Sequence, residues 1–139
     1  MVLKMAKASS KRYLRIIDAA RKAATNAYAP YSKIRVGAAV RSSRGRIYAG
    51  CNVENSSYPL GLCAERSAVG AAVVAGDTNL RQIALYSPDI EFIVPCGGCI
   101  QFLSEFNPEL LVITTGQRER YRVYLLKDLL PIPFRSRGR

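Results

Sequence analysis

Leu62-Cys63-Ala64-Glu65-Arg66-Ser67-Ala68-Val69-Gly70-Ala71-Ala72-Val73-Val74-Ala75-Gly76 decides how the rest of the chain reads. It is rich in alanine and valine over a dozen residues, long enough to prefer a helix, and Gly76 closes it at the usual C-terminal position. A second stretch, Pro95-Cys96-Gly97-Gly98-Cys99, opens another helix that runs to Phe106 and stops near Pro108. Cys63 therefore precedes one helix. Cys96 and Cys99 begin the other, one turn apart on a common face. The partial positive charge at a helix N-terminus favours thiolate over thiol. Three thiolates, spaced as C-x-x-C plus a distant third in a chain of 139 residues without histidine, read as a zinc site with three protein ligands. Structural zinc sites are usually closed by four ligands, so the open position leaves room for water. Glu65 stands two residues from Cys63, where it can serve that water as a base. Three thiolates also leave the centre with net negative charge, which weakens zinc as a Lewis acid. The two helix dipoles and the guanidinium of Arg66 would withdraw electron density from the sulfurs.

Each part has a plainer reading alone. An isolated C-x-x-C can be a redox pair, and an isolated glutamate near a helix start can be a simple dipole partner. Cys51 lies outside both motifs and reads as a small residue packed in a strand.

Working outward, Leu14, Ile17, Ala20, Ala24 and Ala27 recur at spacings of three and four, which predicts an amphipathic helix from Ser9 to Tyr28. Ser9 or Ser10 would cap it and Pro30 would close it. Ile34 to Val40 and Arg46 to Val53 read as a β-hairpin around Ser42-Ser43-Arg44-Gly45. Gln82 to Tyr86, Leu110 to Thr115 and Arg122 to Leu125 are further strands. The order predicts an α/β fold, a three-layer α/β/α sandwich with helices packed on a mixed five-stranded sheet. One domain is expected over residues 1–134, with 135–139 as a basic tail.

Hydrophobic residues at 49% and charged residues at 22% suit a globular core. No apolar run approaches the roughly 20 residues of a membrane span. The first eleven residues carry three lysines and no apolar segment of the kind a signal peptide needs. Three cysteines claimed by one metal site fit a reducing cytoplasm. The net charge of +11 raises a nucleic-acid partner. The basic residues are dispersed, however, and many fall on the solvated face of the first helix. No RNA-binding aromatic signature accompanies them. Nucleic acid is not the expected partner.

The two cysteine motifs, with three further segments, resemble those of the cytidine deaminases. Tyr31-Ser32-Lys33-Ile34-Arg35-Val36-Gly37-Ala38-Ala39 is similar to the family's lead into its first strand. Gly50-Cys51-Asn52-Val53-Glu54-Asn55-Ser56-Ser57-Tyr58 is similar to its nucleoside segment, and Leu129-Leu130-Pro131-Ile132-Pro133-Phe134 to its C-terminal motif. The resemblance implies hydrolytic deamination of cytidine and 2′-deoxycytidine, a step of pyrimidine salvage, with one Zn²⁺ per chain on Cys63, Cys96 and Cys99. It implies Glu65 as the proton shuttle, Arg66 against the ligand sulfurs, and Gln101 as a retained residue beside the site. Asn52 and Glu54 would meet the ribose 3′-hydroxyl, and the backbone of Ala64 the pyrimidine O2. A homotetramer with shared active sites is implied, in which Tyr58 and Phe134 reach a neighbouring pocket. Ile34 stands where the family usually has a phenylalanine on the base, which forfeits about 1 kcal/mol of stacking. Ile100 replaces a common arginine.

Three alternatives stay open from the sequence. One is a deaminase of polynucleotide cytidines, which needs an open channel. Another is a deaminase of a different aminated base, such as guanine or a blasticidin-like compound. The third is a non-enzymatic zinc module, for which Cys51 would have to supply a fourth ligand.

Overall fold

The computed structural model describes residues 4–7, as backbone, and 11–136. In chain order the elements are β1 (Lys4–Lys7), α1 (Lys11–Ala24), β2 (Gly37–Ser42), β3 (Ile47–Cys51), α2 (Ala64–Val74), β4 (Leu80–Tyr86), α3 (Gly97–Ser104), β5 (Leu111–Thr115), β6 (Arg120–Leu125) and α4 (Leu126–Leu129). The strands form one mixed sheet in the order β1-β6-β5-β4-β2-β3. β4 and β5 are its parallel pair, joined through α3, while the other pairs described are antiparallel.

Both faces of the sheet are covered. Tyr13, Ile16, Ile17 and Ala20 of α1 pack on Ala39, Ala84, Ile113 and Val123. On the other face, Ala64, Ala68, Val69 and Ala72 of α2 pack with Leu103 and Leu126 against Val40, Ile83, Leu85 and Val112. These are the three expected layers. Lys11, Arg12, Arg15 and Lys22 lie on the solvent side of α1, so that much of the net charge is a solvated helix face.

The five expected strands are β2 to β6. β1 adds a sixth, paired with β6 in the register Lys4↔Val123 to Lys7↔Arg120. Two lysines in four residues carry no apolar alternation, and an edge strand does not need it. The strand expected from Ile34 begins only at Gly37, because the amides before it pair with side chains. Ile34 N–H donates to Ser32 Oγ, Arg35 N–H to Asp89, and Val36 N–H to Asn52 Oδ1. α1 ends at Ala24, earlier than Tyr28. Tyr28 has left the helix to bridge Val53, its N–H donating to Asn52 O and its carbonyl accepting from Glu54 N–H. The Ser9 and Ser10 caps lie outside the described residues, as does the tail beyond Ser136.

Gly37 is where α1 meets the sheet. A Cβ there would sit 1.9 Å from the Ala20 carbonyl oxygen, a backbone atom that cannot step aside. Gly37→Ala should destabilise the fold by about 3 kcal/mol. Its thermal midpoint should fall by roughly 10 °C; an unchanged midpoint would contradict this packing.

Candidate active site

Sheet register assembles the site at one end of the molecule. Gly37, the first residue of β2, pairs with Cys51, the last of β3, and with Tyr86, the last of β4. The segments flanking these positions (31–36, 52–54 and 87–96) are therefore neighbours. Beyond β3, Val53 pairs with Leu62 through two backbone hydrogen bonds, 2.9 and 2.8 Å. That ladder sets Asn52 to Glu54 beside Cys63.

Cys63 is the N-cap of α2 and Cys96 the N-cap of α3, both in extended conformation. Cys99 lies in the first turn of α3, fully buried, and its N–H donates to Cys96 Sγ at 3.4 Å. The sulfurs of Cys63, Cys96 and Cys99 all lie within 4.8 Å of one another, with Cys63 and Cys96 4.0 Å apart. Tetrahedral zinc with Zn–S bonds of about 2.3 Å needs sulfurs about 3.8 Å apart. The three fit that ion with slight contraction. Cys51 is outside the group, which removes the fourth ligand that a closed structural site would require.

Glu65 occupies the first turn of α2 and is 5% exposed. Burial pushes its carboxyl up from the usual carboxylate range, against its own N–H, Cys99 and Arg66. Burial likewise pushes Cys63 up, and nearby Cys96 adds to it. Cys99 is pushed far above an ordinary thiol by burial, with the charges of Glu65 and Cys63 adding. Burial also opposes the Cys96 thiolate, but hydrogen bonds from the Cys99 amide and the neighbouring thiols outweigh it and bring Cys96 below the ordinary value. Four acidic groups this close together cannot all ionise unaided. A divalent cation among the sulfurs resolves that conflict. Arg66 helps from outside: its Nη2 donates to the Gly61 carbonyl at 2.9 Å and lies 4.0 Å from Cys63 Sγ.

Ala64 is buried at the first position of α2, where the helix leaves its N–H groups without intrahelical partners. Asn52 and Glu54 both turn toward the 31–36 segment. Asn52 Oδ1 accepts from Val36 N–H and its Nδ2 donates to Ile34 O, each at 2.8 Å. Glu54 accepts from the N–H and the hydroxyl of Ser32. Ile34 is half-buried against the core under α2. On α3, the Gln101 amide pairs with the backbone of Phe134 in both directions, Nε2 to O at 3.0 Å and N–H to Oε1 at 2.8 Å. Ile100 packs against the core. Tyr58 projects outward and meets Tyr31 edge to face, with centroids 6.3 Å apart.

Three residues of this region went unread as individuals. Ser32 joins Glu54 to Ile34. Asp89 grips Arg35 through its amide and its guanidinium, with Nη2 to Oδ1 at 3.0 Å. Lys33 holds a left-handed φ of 64° between Ser32 and Ile34. Ser32, at the head of a segment whose amides find no strand partner, was the one detectable signal.

A buried carboxylate beside a three-thiol metal site, at the mouth of two helices, is a hydrolytic arrangement. Comparison with known proteins agrees. Residues 10–115 match the family profile described as the cytidine and deoxycytidylate deaminase zinc-binding region. The chain is 43% identical over 115 residues to cytidine deaminase of Mycobacterium tuberculosis, covering 83% of this chain and 84% of that one. It is 38% identical over 121 residues to cytidine deaminase of Sporosarcina psychrophila, covering 86% and 89%. The crystal structure of cytidine deaminase from Burkholderia pseudomallei superposes with a TM-score of 0.81 at 42% identity, over 86% of this chain and 97% of that chain. This chain belongs to the cytidine and deoxycytidylate deaminase family, whose members bind zinc. Among the described residues no helix is long and apolar enough to cross a membrane.

Proposed function

We propose that the protein hydrolyses the exocyclic amine of cytidine and 2′-deoxycytidine, giving the uridines and ammonia in pyrimidine salvage. The observation that carries this is the buried Glu65 next to the three-sulfur group of Cys63, Cys96 and Cys99. Zinc on those sulfurs would supply a water acidic enough to act as nucleophile near neutral pH. Glu65 would take a proton from the attacking water as its oxygen bonds to C4 and deliver that proton to N3 of the pyrimidine, which makes C4 more electrophilic. It would then carry the second proton, from the hydroxyl now on C4, to the amine as the C4–N bond breaks and ammonia leaves. A carboxyl whose proton affinity is raised by burial suits a group that must both take up and give back a proton. Arg66 draws charge from Cys63, and the Ala64 amide receives the pyrimidine O2. Asn52 and Glu54 meet the sugar, and Ile34 covers the base.

The reading extends to assembly as a homotetramer with shared pockets. Val74 is 90% exposed, Tyr58 and Phe134 78% and Leu60 71%, and the outer face of α2 carries no charge from Gly70 to Ala75. Apolar surface of this extent calls for a partner. Gln101 pins Phe134 to the helix that carries two of the sulfurs, a placement suited to reaching a neighbour. The domain of 1–134 would carry the activity, and its thiols call for a reducing cytoplasm.

The test is turnover of cytidine, deoxycytidine and free cytosine by the purified protein, with zinc quantified on the same sample. Both nucleosides should turn over, the free base at least 100-fold more slowly, with one zinc per chain. Zinc without nucleoside turnover would overturn the reading. Deamination of a single-stranded oligonucleotide at a comparable rate would favour a polynucleotide substrate instead.

A further inference from the structure

Ser32 occupies a junction that the proposed reaction does not by itself require. A serine hydroxyl has one proton to donate and lone pairs to accept with, and both capacities are used here. A carboxylate at neutral pH can only accept, so the 2.7 Å contact with Glu54 Oε1 is a donation from Ser32 Oγ. An amide N–H can only donate, so the 3.0 Å contact from Ile34 N is one that Oγ accepts. The Ser32 N–H adds a second donation to Glu54, 3.1 Å to Oε2 and 3.4 Å to Oε1. Two donors from one residue therefore fix the plane of the carboxylate. Bonds to an ionised acceptor are the stronger kind.

The backbone is shaped for this. Lys33 adopts φ 64°, a left-handed conformation that non-glycine residues visit rarely. It turns the chain so that Ile34 N–H reaches back two residues to Ser32 Oγ. The Lys33 N–H closes the same turn on Ala29 O at 3.1 Å. Strain of this sort persists only where surrounding contacts over-determine it. The Asn52 amide on Ile34 and Val36 and the Asp89 carboxylate on Arg35 are those contacts.

We infer that Ser32 is a positioning residue for nucleoside recognition: its hydroxyl and amide hold the Glu54 carboxylate at a fixed angle for the sugar hydroxyl, and the same hydroxyl anchors Ile34 beside it. The inference rests on the reading of Glu54 as the sugar contact. Glutamate has several rotatable bonds, and without Ser32 its carboxylate would sample orientations that miss the ligand. The cost should fall on binding, and only on substrates carrying the hydroxyl that Glu54 meets.

The experiment compares cytidine with 3′-deoxycytidine in wild type, Ser32→Ala, Ser32→Thr, Glu54→Ala and the Ser32→Ala/Glu54→Ala double variant, with zinc content and thermal midpoint recorded for each. Ser32→Ala should lower kcat/KM for cytidine by roughly tenfold, mostly through KM, and for 3′-deoxycytidine by less than about threefold. Ser32→Thr keeps the hydroxyl and should recover wild-type discrimination. In the Glu54→Ala background, Ser32→Ala should add nothing to the loss of discrimination. Equal losses on both substrates would mean that Ser32 only stabilises its loop, and would overturn the proposal. So would Ser32→Ala discrimination at the wild-type level while Glu54→Ala abolishes it. Discrimination unchanged in Glu54→Ala would instead overturn the sugar-contact reading, and the positioning role with it.

Discussion

Glu65→Gln is expected to lower kcat/KM for cytidine by about 10³-fold or more, while zinc content and thermal midpoint stay at wild-type values. The amide keeps the shape of the carboxyl and its place in the first turn of α2, so the packing of Ala64, Ala68 and Val69 is undisturbed. It cannot take up a proton and return it. Burial favours the exchange in the native residue: at 5% exposure the charged carboxylate is poorly solvated, and its proton affinity rises. Stability should not suffer, because a neutral amide is cheaper to bury than a carboxylate. A glutamine variant within tenfold of wild type would remove Glu65 from the proton path. Loss of zinc in the same variant would mean that Glu65 acts on the metal site rather than on the substrate.

Removing the metal should have the second large effect. Dialysis against a strong chelator is expected to abolish turnover and to lower the thermal midpoint by roughly 10 °C or more, with both recovered on adding zinc back. The reason lies in where the sulfurs sit. Cys63 starts α2 and Cys96 and Cys99 start α3, so one ion ties together the N-termini of two helices on the same face of the sheet. Without it, three thiols and Glu65 remain crowded together, with burial disfavouring the charged forms of Cys63, Cys99 and Glu65. Cys99→Ala should reproduce the loss irreversibly, since Cys99 is fully buried and, among the described residues, no other cysteine joins the group. Full activity with no detectable metal would overturn the metal site. An unchanged midpoint on chelation would show that the helix starts are held by packing alone.

The two cysteine motifs and Glu65 were legible from the chain because the geometry within each motif is local. A cysteine as N-cap and a glutamate two residues later are placed by the helix itself. So are two cysteines one turn apart at the start of α3, since helix geometry brings residues three apart onto one face. Arg66 follows from the same turn. The α/β alternation was legible for the same reason, since periods of two and 3.6 are written into short windows.

The rest of the site depends on which segments the sheet places side by side. Asn52 and Glu54 point to one face, as alternate residues of an extended chain must. That their side chains also clasp Ile34, Val36 and Ser32 comes from the pairing of Gly37 with Cys51. The grip of Asp89 on Arg35 spans 54 residues and comes from the pairing of Gly37 with Tyr86. Gln101 and Phe134 meet across 33 residues because the chain after α4 returns along α3. Even the missing strand at 34–36 is largely of this kind, for its residues favour β-structure while the amides of Arg35 and Val36 found side-chain partners supplied from a distance. The amino-acid sequence by itself determined the two cysteine motifs, the candidate carboxylate Glu65 and the layers of the fold, because helix and strand periodicity place the groups of each motif within a few residues. Only the tertiary structure decided that Cys63 meets Cys96 and how the segment of Asn52 and Glu54 is braced, because contacts between residues far apart in the chain exist only once strand register has set their distance.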